Sequence, residues 1–538
     1  MLFAGALSTA WIAPLFDPDE GYYPATAAES VDAGSAWDPR FNGEPRWDKP
    51  ILTYALIEAA FAVLGRTVVA ARLPSIIEAA LLVLIVGFSV AFLAGPSRGS
   101  LAAWVLCTTL GVQIFARVAH PEIAVVLMIT VAELLTVLWI TTPAAHVRFR
   151  LACAGGAAVG LGVLAKGPVA IVLPVLALVT GSALVFGIRP PSRQAVRHLA
   201  LSAVVAAVVC VPWYAAMTVR HGVPFLEEAV WRHNVERFTG QAFGHRSGPW
   251  FFLFPALLAM FPWSAFVPSA LVAAFRRPQE PAAVLRVFMA AAAVTSVLIN
   301  SASGSKLAHY ALAFVPPLSI LVALRMHDFL ARNQRTASFV WTPAVVGFAA
   351  IALLVAPVLV GRVVGAREIL SGLSGSATGA QWMLARALWP PALLLAITAA
   401  VVAAARQPTG LRMLMVAGAA MPLMLLVDAR SLLDQAYPWK HFGQLVRDSA
   451  LPVWFVGPRA PSLTFYAGRP LVRITESDGA TWNPPADDGW IVADTEWFSR
   501  RLDRDGAAAW QVLANAGGRT LARWQGAHRD TQPLTRDK

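Results

Sequence analysis

Apolar runs of about twenty residues recur from the N-terminus to about residue 428. A run of that length matches the hydrocarbon thickness of a bilayer when it is helical. Inside that layer every backbone amide must be satisfied within the chain, which restricts spanning structures to helices and closed barrels. The runs predict helices over 1–16, 72–94, 101–118, 122–141, 151–165, 168–187, 199–217, 250–274, 284–300, 308–324, 338–360, 384–405 and 411–428. A polytopic α-helical membrane protein with about 13 transmembrane helices follows. Composition agrees. Charged residues are 14% of the chain and the mean hydropathy is +0.60, against about 25% charged residues in a soluble domain. Cys107, Cys153 and Cys210 all fall inside apolar runs and form no zinc or disulfide spacing.

The net charge of +12 is a question of orientation, and no nucleic-acid partner is expected. Lys and Arg collect in cytoplasmic loops of membrane proteins. With the N-terminus cytoplasmic, the inner loops hold fourteen arginines, from Arg98 and Arg148 through Arg276, Arg277 and Arg335 to Arg412, against two acids, Glu280 and Asp328. The loop 17–71, the loop 218–249 and everything after 428 then lie outside, on the periplasmic face of a bacterial inner membrane.

Residues 429–538 form a different kind of sequence, of ordinary polarity. Short strand-like pieces are expected at Val453–Val456, Leu463–Tyr466, Leu471–Ile474 and Trp490–Ala493, an Ala-rich helical stretch at Ala507–Ala516, and one more strand after it. The expectation is two domains, 1–428 in the membrane and 429–538 as a small periplasmic α/β domain, with a linker near Asp428–Lys440.

The first outer loop carries the chemistry. LFDPDEGYYPATAAES puts Asp17, Asp19 and Glu20 within four residues of a chain otherwise poor in acids. Acids suit the first turn of a helix by its dipole, and Pro24 suits an early helical position. The loop continues to Trp47-Asp48-Lys49-Pro50, after which residues 51–64 read as an apolar helix at the membrane interface. Carboxylates and a lysine are thus held at the membrane surface. A carboxylate there can act as a general base, and a lysine can bind a lipid phosphate as a point charge. His221, His233 and His245 share one outer loop, but their spacing matches no zinc template.

Ordered motifs follow over some three hundred residues. They are Asp19-Glu20-Gly21-Tyr22-Tyr23; Gly34 through Asn42-Gly43 to Asp48-Lys49-Pro50; Arg72-Leu73-Pro74-Ser75; Lys166-Gly167-Pro168; and Pro212-Trp213-Tyr214. Then come His233 to Phe238, His245 to Trp250, Phe261-Pro262-Trp263, and Ser305-Lys306-Leu307-Ala308-His309-Tyr310. In this series the chain resembles the polyprenyl-phosphate-sugar-dependent glycosyltransferases of the GT-C class, among them the lipid A aminoarabinose transferase and its relatives in the protein O-mannosyltransferase superfamily. Two departures flank the motif: Tyr22 stands where the aminoarabinose transferase has an arginine, and Asp48 replaces the glutamate of its Glu-Lys-Pro.

The resemblance implies a GT-C fold and no cofactor, with a divalent cation left open. Its catalytic carboxylate would be Asp19, with Glu20 beside it and Glu122 assisting. Lys49, Arg237 and Tyr310 would hold the donor phosphate, with Lys166 and Lys306 in second rank. The expected reaction moves a sugar from an undecaprenyl-phosphate-type donor to a lipid or glycan acceptor, with inversion. A protein O-mannosyltransferase-like activity on secreted polypeptides, a lipid-sugar flippase and a non-enzymatic scaffold are the alternatives. Arg72 reads better as a helix anchor than as a ligand.

Overall fold

A computed structural model describes residues 2–240, 247–275, 282–332, 337–360, 377–457, 460–474, 487–505 and 509–525. Of the sequence expectations, His245, Arg246, Arg276, Arg277, Glu280, Arg335 and residues 507–508 lie outside them.

Ten helices among the described residues are long and apolar enough to cross a membrane. An eleventh span is added if Leu253–Ala259 and Ser264–Phe275, bent by 119° at their junction, count as one. Two of the expected thirteen are interrupted instead. The first reduces to α1 (Leu2–Thr9). Residues 101–118 break between Pro96–Cys107 and Leu110–Phe115. The break has a polar cause. Thr108 and Thr109 donate their hydroxyls back to Trp104 O (2.7 Å) and Leu106 O (2.8 Å), and the Gln113 amide donates to Cys107 O. Side-chain bonds of this kind compete with the helical ladder.

Four elements build the loop 17–71. Helix α2 (Asp19–Asp32) starts at the two acids and carries Pro24 in its interior, not in its first turn. A two-stranded hairpin, β1 (Arg40–Phe41) and β2 (Glu44–Pro45), turns through Asn42 and Gly43, both at positive φ. Asn-Gly is the pair such a turn prefers. The Glu29 carboxylate accepts both turn amides at 2.6 Å, which fixes the hairpin to α2. Helix α3 (Leu52–Leu64) follows Pro50 and is too short to span. Helix α4 (Val68–Ala94) then enters the membrane, with Thr67 as its N-cap.

Beyond the last span, which ends at Asp428, come the amphipathic helix α5 (Trp439–Arg447) and a sheet. The sheet order is β4-β3-β5-β7-β6: β3 (Val453–Val456), β4 (Val472–Ile474), β5 (Gly489–Asp494), β6 (Trp510–Ala516) and β7 (Arg519–Trp524). The first three strands are parallel and the last two antiparallel. Two local expectations are corrected. Leu463–Tyr466 belongs to a helix, α6 (Pro461–Ala467), which opens on a proline and buries Leu463, Tyr466 and Ala467 at helical spacing. Residues 510–516 form a strand in spite of their alanines. Gly517 and Gly518, at φ +57 and +70, close a hairpin that pairs Ala516 with Arg519.

Helix α6 docks this domain on the first loop. The Ser462 N–H donates to Asp17 Oδ1 (2.9 Å) and its hydroxyl to Oδ2 (2.5 Å). The Leu15 N–H donates to Tyr466 Oη at 3.0 Å, and the Leu471 N–H to Asn42 Oδ1 at 3.1 Å. Gly21 is required at this contact, because a Cβ there would meet Ser462 N at 2.6 Å.

Candidate active site

A polar chamber of about 880 Å³ opens where the N-terminal turn of α2, the hairpin, the ends of three membrane helices and the 227–237 segment converge. Asp19, Lys49, Lys166, Arg237 and Tyr310 all line it. These residues lie as far apart in the chain as Asp19 and Tyr310. Beneath it runs a second cavity of about 570 Å³ with mostly apolar walls, among them Val125, Ile129, Val172 and Leu173. The two share Asp48, Lys49, Lys166, His233, Arg237 and Tyr310. Three cations, Lys49, Lys166 and Arg237, together with Asp48, His233 and the Tyr310 phenol, therefore separate a greasy slot from a wet chamber.

Each member of that group is held in place. Lys49 sits just before Pro50 and the start of α3, and its ammonium donates to Asp48 O at 2.8 Å. Burial pulls the Lys49 pKa down from 10.5 to about 8, against the pull of Asp48, with Arg237, Lys166 and Arg46 adding to the drop. Asp48 is half-buried, yet Arg46 at 2.7 Å and Lys49 hold its carboxyl down at about 2. Lys166 ends its helix, pairs with Glu122 and sits 4.4 Å from the Tyr310 ring centroid. Glu122 thus answers to a lysine, with His309 Nε2 at 3.9 Å. Arg237 follows a π-helical stretch, Glu227–Glu236, a form frequent at functional sites. In that stretch Glu228 meets His233 Nε2 at 3.0 Å. Burial and the positive charge of Lys49 press the His233 pKa down to about 4.

Glu20 and Lys306 are placed elsewhere. Glu20 is 1% exposed and lines neither cavity. Its carboxylate takes Arg72 Nε (2.7 Å) and Nη2 (2.8 Å), and the N–H groups of Phe16 and Ala119 (2.9 Å each). Arg72 spends its other donors on the carbonyls of Ala10, Ala13 and Pro14. This is a bolt between the end of α1, the start of α2 and α4, and it makes Arg72 the anchor its position suggests. Lys306 is buried, donates to Ser303 O at 2.5 Å and also lines neither cavity.

Sequence reasoning passed over several chamber residues. Arg46 stacks 3.6 Å from the centroid of Tyr22 and brings a positive charge to the chamber from the hairpin side. Its signal was its place two residues before Asp48. His120 and His309 face Asp19, one ligand atom from each lying within 4.8 Å of the others. That trio is the place for a divalent cation among the described residues. However, His120 Nδ1 accepts the Glu122 N–H at 3.2 Å as an N-cap. A neutral ring that accepts at Nδ1 carries its proton on Nε2, so the one lone pair of His120 is already taken by Glu122. Burial, with Lys166 and Lys49, keeps this ring neutral by pushing its pKa well below the usual value.

Residues 48–215 match the family model described as dolichyl-phosphate-mannose-protein mannosyltransferase. The undecaprenyl phosphate-alpha-4-amino-4-deoxy-L-arabinose arabinosyl transferase of Pseudomonas paraeruginosa is 31% identical over 329 residues, 59% of this chain and 58% of that protein. Its namesake in Pseudomonas aeruginosa is 31% identical over 57% of this chain and 55% of its own length. The chain thus spans little more than half the length of these relatives. The crystal structure of ArnT from Cupriavidus metallidurans bound to undecaprenyl phosphate superposes with a TM-score of 0.79 at 19% identity, covering 97% of this chain and 96% of that one. Its apo form gives 0.77. By this likeness of fold and sequence, the chain is a membrane protein of GT-C fold that resembles the polyprenyl-phosphate-sugar-dependent glycosyltransferases.

Proposed function

We propose that the protein is a glycosyltransferase that moves a sugar from a polyprenyl phosphate to a lipid or glycan acceptor. The observation that carries this reading is the group of cations between slot and chamber. An apolar slot suits a prenyl chain. Lys49, Arg237 and Tyr310 sit where its phosphate would emerge, with Lys166 behind them. The sugar would then stand in the chamber before Asp19. The acceptor oxygen attacks the anomeric carbon, the carbon–oxygen bond to the phosphate breaks, and its electron pair leaves on the phosphate oxygen. Attack from the chamber side, opposite the phosphate, inverts the centre. The cations stabilise the charge that develops on the leaving phosphate. Asp19 takes the proton of a hydroxyl acceptor; toward an ionised phosphate acceptor it orients the substrates. Glu122 acts by holding Lys166, and Glu20 by holding the loop that presents Asp19. Lys306 plays its part through the backbone at Ser303. No cofactor enters this scheme.

The arginines of the short loops support an N-terminus in the cytoplasm and a chamber on the periplasmic face of the inner membrane, where residues 429–538 also stand. The match to the mannosyltransferase family model favours a polypeptide acceptor as the second reading. The test is transfer from a radiolabelled polyprenyl-phosphate-sugar pool to membrane lipids or periplasmic extract. Wild type should label one product, and Asp19→Asn and Lys49→Ala should each abolish it. A labelled polypeptide would select the second reading. Transfer that survives Asp19→Asn would remove that carboxylate from its role.

A further inference from the structure

The opposite side of α2 borders a third cavity, of about 800 Å³, which none of the chemistry above uses. Asp19, Tyr22 and Tyr23 face the chamber, whereas Ala25, Ala28, Glu29 and Asp32 face this space. Its floor is membrane protein: Trp11, past the end of α1, and Val68 and Val69, where α4 enters its span. Its roof is the C-terminal domain: α5, the end of α6, and Arg469. The space therefore lies at the level where a lipid headgroup meets the protein. Trp11 is 55% exposed there, as an aromatic at the interfacial belt would be, and Arg430 stacks on it at 5.1 Å.

The charges of the cavity are unevenly satisfied. Its acids are Glu29, Asp32 and Asp448. Glu29 is taken by the two hairpin amides and Asp32 by Arg66. Four cations line it: Arg66, Lys440, Arg447 and Arg469. Lys440 and Arg447 lie two turns apart on one face of α5, both exposed, and neither has an ion-pair or hydrogen-bond partner among the described residues. Arg469 donates to the carbonyls of Ser449 and Val446, but its buried Nε meets no acceptor. A buried donor without a partner is costly, and an acceptor with several oxygens would relieve it. Helix α5 itself is amphipathic, burying Trp439, Phe442 and Val446 in the domain and turning Lys440, Gln444 and Arg447 to the cavity.

We infer that this cavity is a second lipid site, in which Lys440, Arg447 and Arg469 hold the phosphate of an anionic lipid headgroup and so seat the C-terminal domain on the membrane. Cations gathered beside the start of a membrane span attract anionic lipid, and the floor of Trp11 and Val68 suits the glycerol and upper acyl region. The phosphate chemistry is shared by free phosphate, and the test separates the two sources. Full-length protein in phosphatidylcholine nanodiscs is titrated with phosphatidylglycerol, and retained lipid is counted by native mass spectrometry. Wild type and Lys49→Ala should retain it alike. Lys440→Gln with Arg447→Gln should weaken retention about tenfold, with an unchanged melting temperature, since both side chains are exposed. Inorganic phosphate should fail to displace the lipid. Equal retention by the double variant, loss in Lys49→Ala alone, or complete displacement by inorganic phosphate would each overturn the assignment. The outcome is independent of sugar transfer.

Discussion

Asp19 and Glu20 are neighbours in the chain and belong to two opposite kinds of charged region. The chamber around Asp19 holds Lys49, Lys166 and Arg237 facing open volume. The bolt around Glu20 is closed: four donor atoms converge on one carboxylate, and Arg72 leaves nothing exposed. The difference teaches what each charge is for. A buried ion pair whose lone pairs are all satisfied specifies a structure, and breaking it costs about 3–5 kcal/mol because the remaining partner is stranded. Charges that converge on empty space are preorganised for a substrate.

The sharpest way to break this comparison is to neutralise the two acids separately. Asp19→Asn should lower turnover by about 10²–10⁴-fold and leave the melting temperature within about 2 °C. Glu20→Gln and Arg72→Ala should instead lose about 3–5 kcal/mol of stability, read as lower expression and a depressed melting temperature in detergent. A stable Glu20→Gln with the turnover of Asp19→Asn would make both acids catalytic and dissolve the contrast.

A pH titration sharpens it next. The folded pKa of Lys49 lies at about 8 against an ordinary 10.5. The ammonium is charged below about 8, so binding of a lipid phosphate should weaken as pH rises through that value. Stability should move the other way. Between 8 and 10.5 the unfolded chain binds the extra proton, and the native state gains as pH climbs. Lys49→Arg should keep binding flat across the range. Equal pH dependence in Lys49→Arg would assign the titration to another group.

A smaller effect is expected at the contact between the loop and the C-terminal domain. Ser462→Ala removes one of two bonds to Asp17 and should cost about 1 kcal/mol, with faster hydrogen exchange at Leu15 and Asn42. Burial raises the Asp17 carboxyl to about 7, against the two Ser462 bonds. Its contribution to stability is therefore full below its ordinary 3.8 and is lost as pH rises through about 7. The smallest effect is expected from chelation. EDTA should change transfer less than twofold, because the one lone pair of the neutral His120 ring is taken by the Glu122 N–H. Restoration of lost activity by a divalent cation would overturn that tautomer.

Much of this was legible in the chain. Hydropathy alone located the ten long spans, since a twenty-residue apolar run has one stable conformation in lipid. The motifs brought out Asp19, Lys49, Lys166, Arg237 and Tyr310, and the structure gathers all five in one chamber. Local pattern failed where partners decide. Ala-rich 510–516 became a strand because β7 pairs with it across two glycines, and Leu463–Tyr466 became a helix because its apolar face fits the sheet.

By itself the sequence determined the class of fold, the run of spans and the carboxylate- and lysine-bearing loop, because each follows from local composition and spacing. Only the tertiary structure decided which acid faces the chamber and which is locked to Arg72, that Arg46 covers the ring of Tyr22, and that a slot meets a chamber at the cations. These depend on distances between residues tens to hundreds of positions apart. Whether a charge is matched or left open is a property of its three-dimensional neighbours, which no stretch of one chain contains.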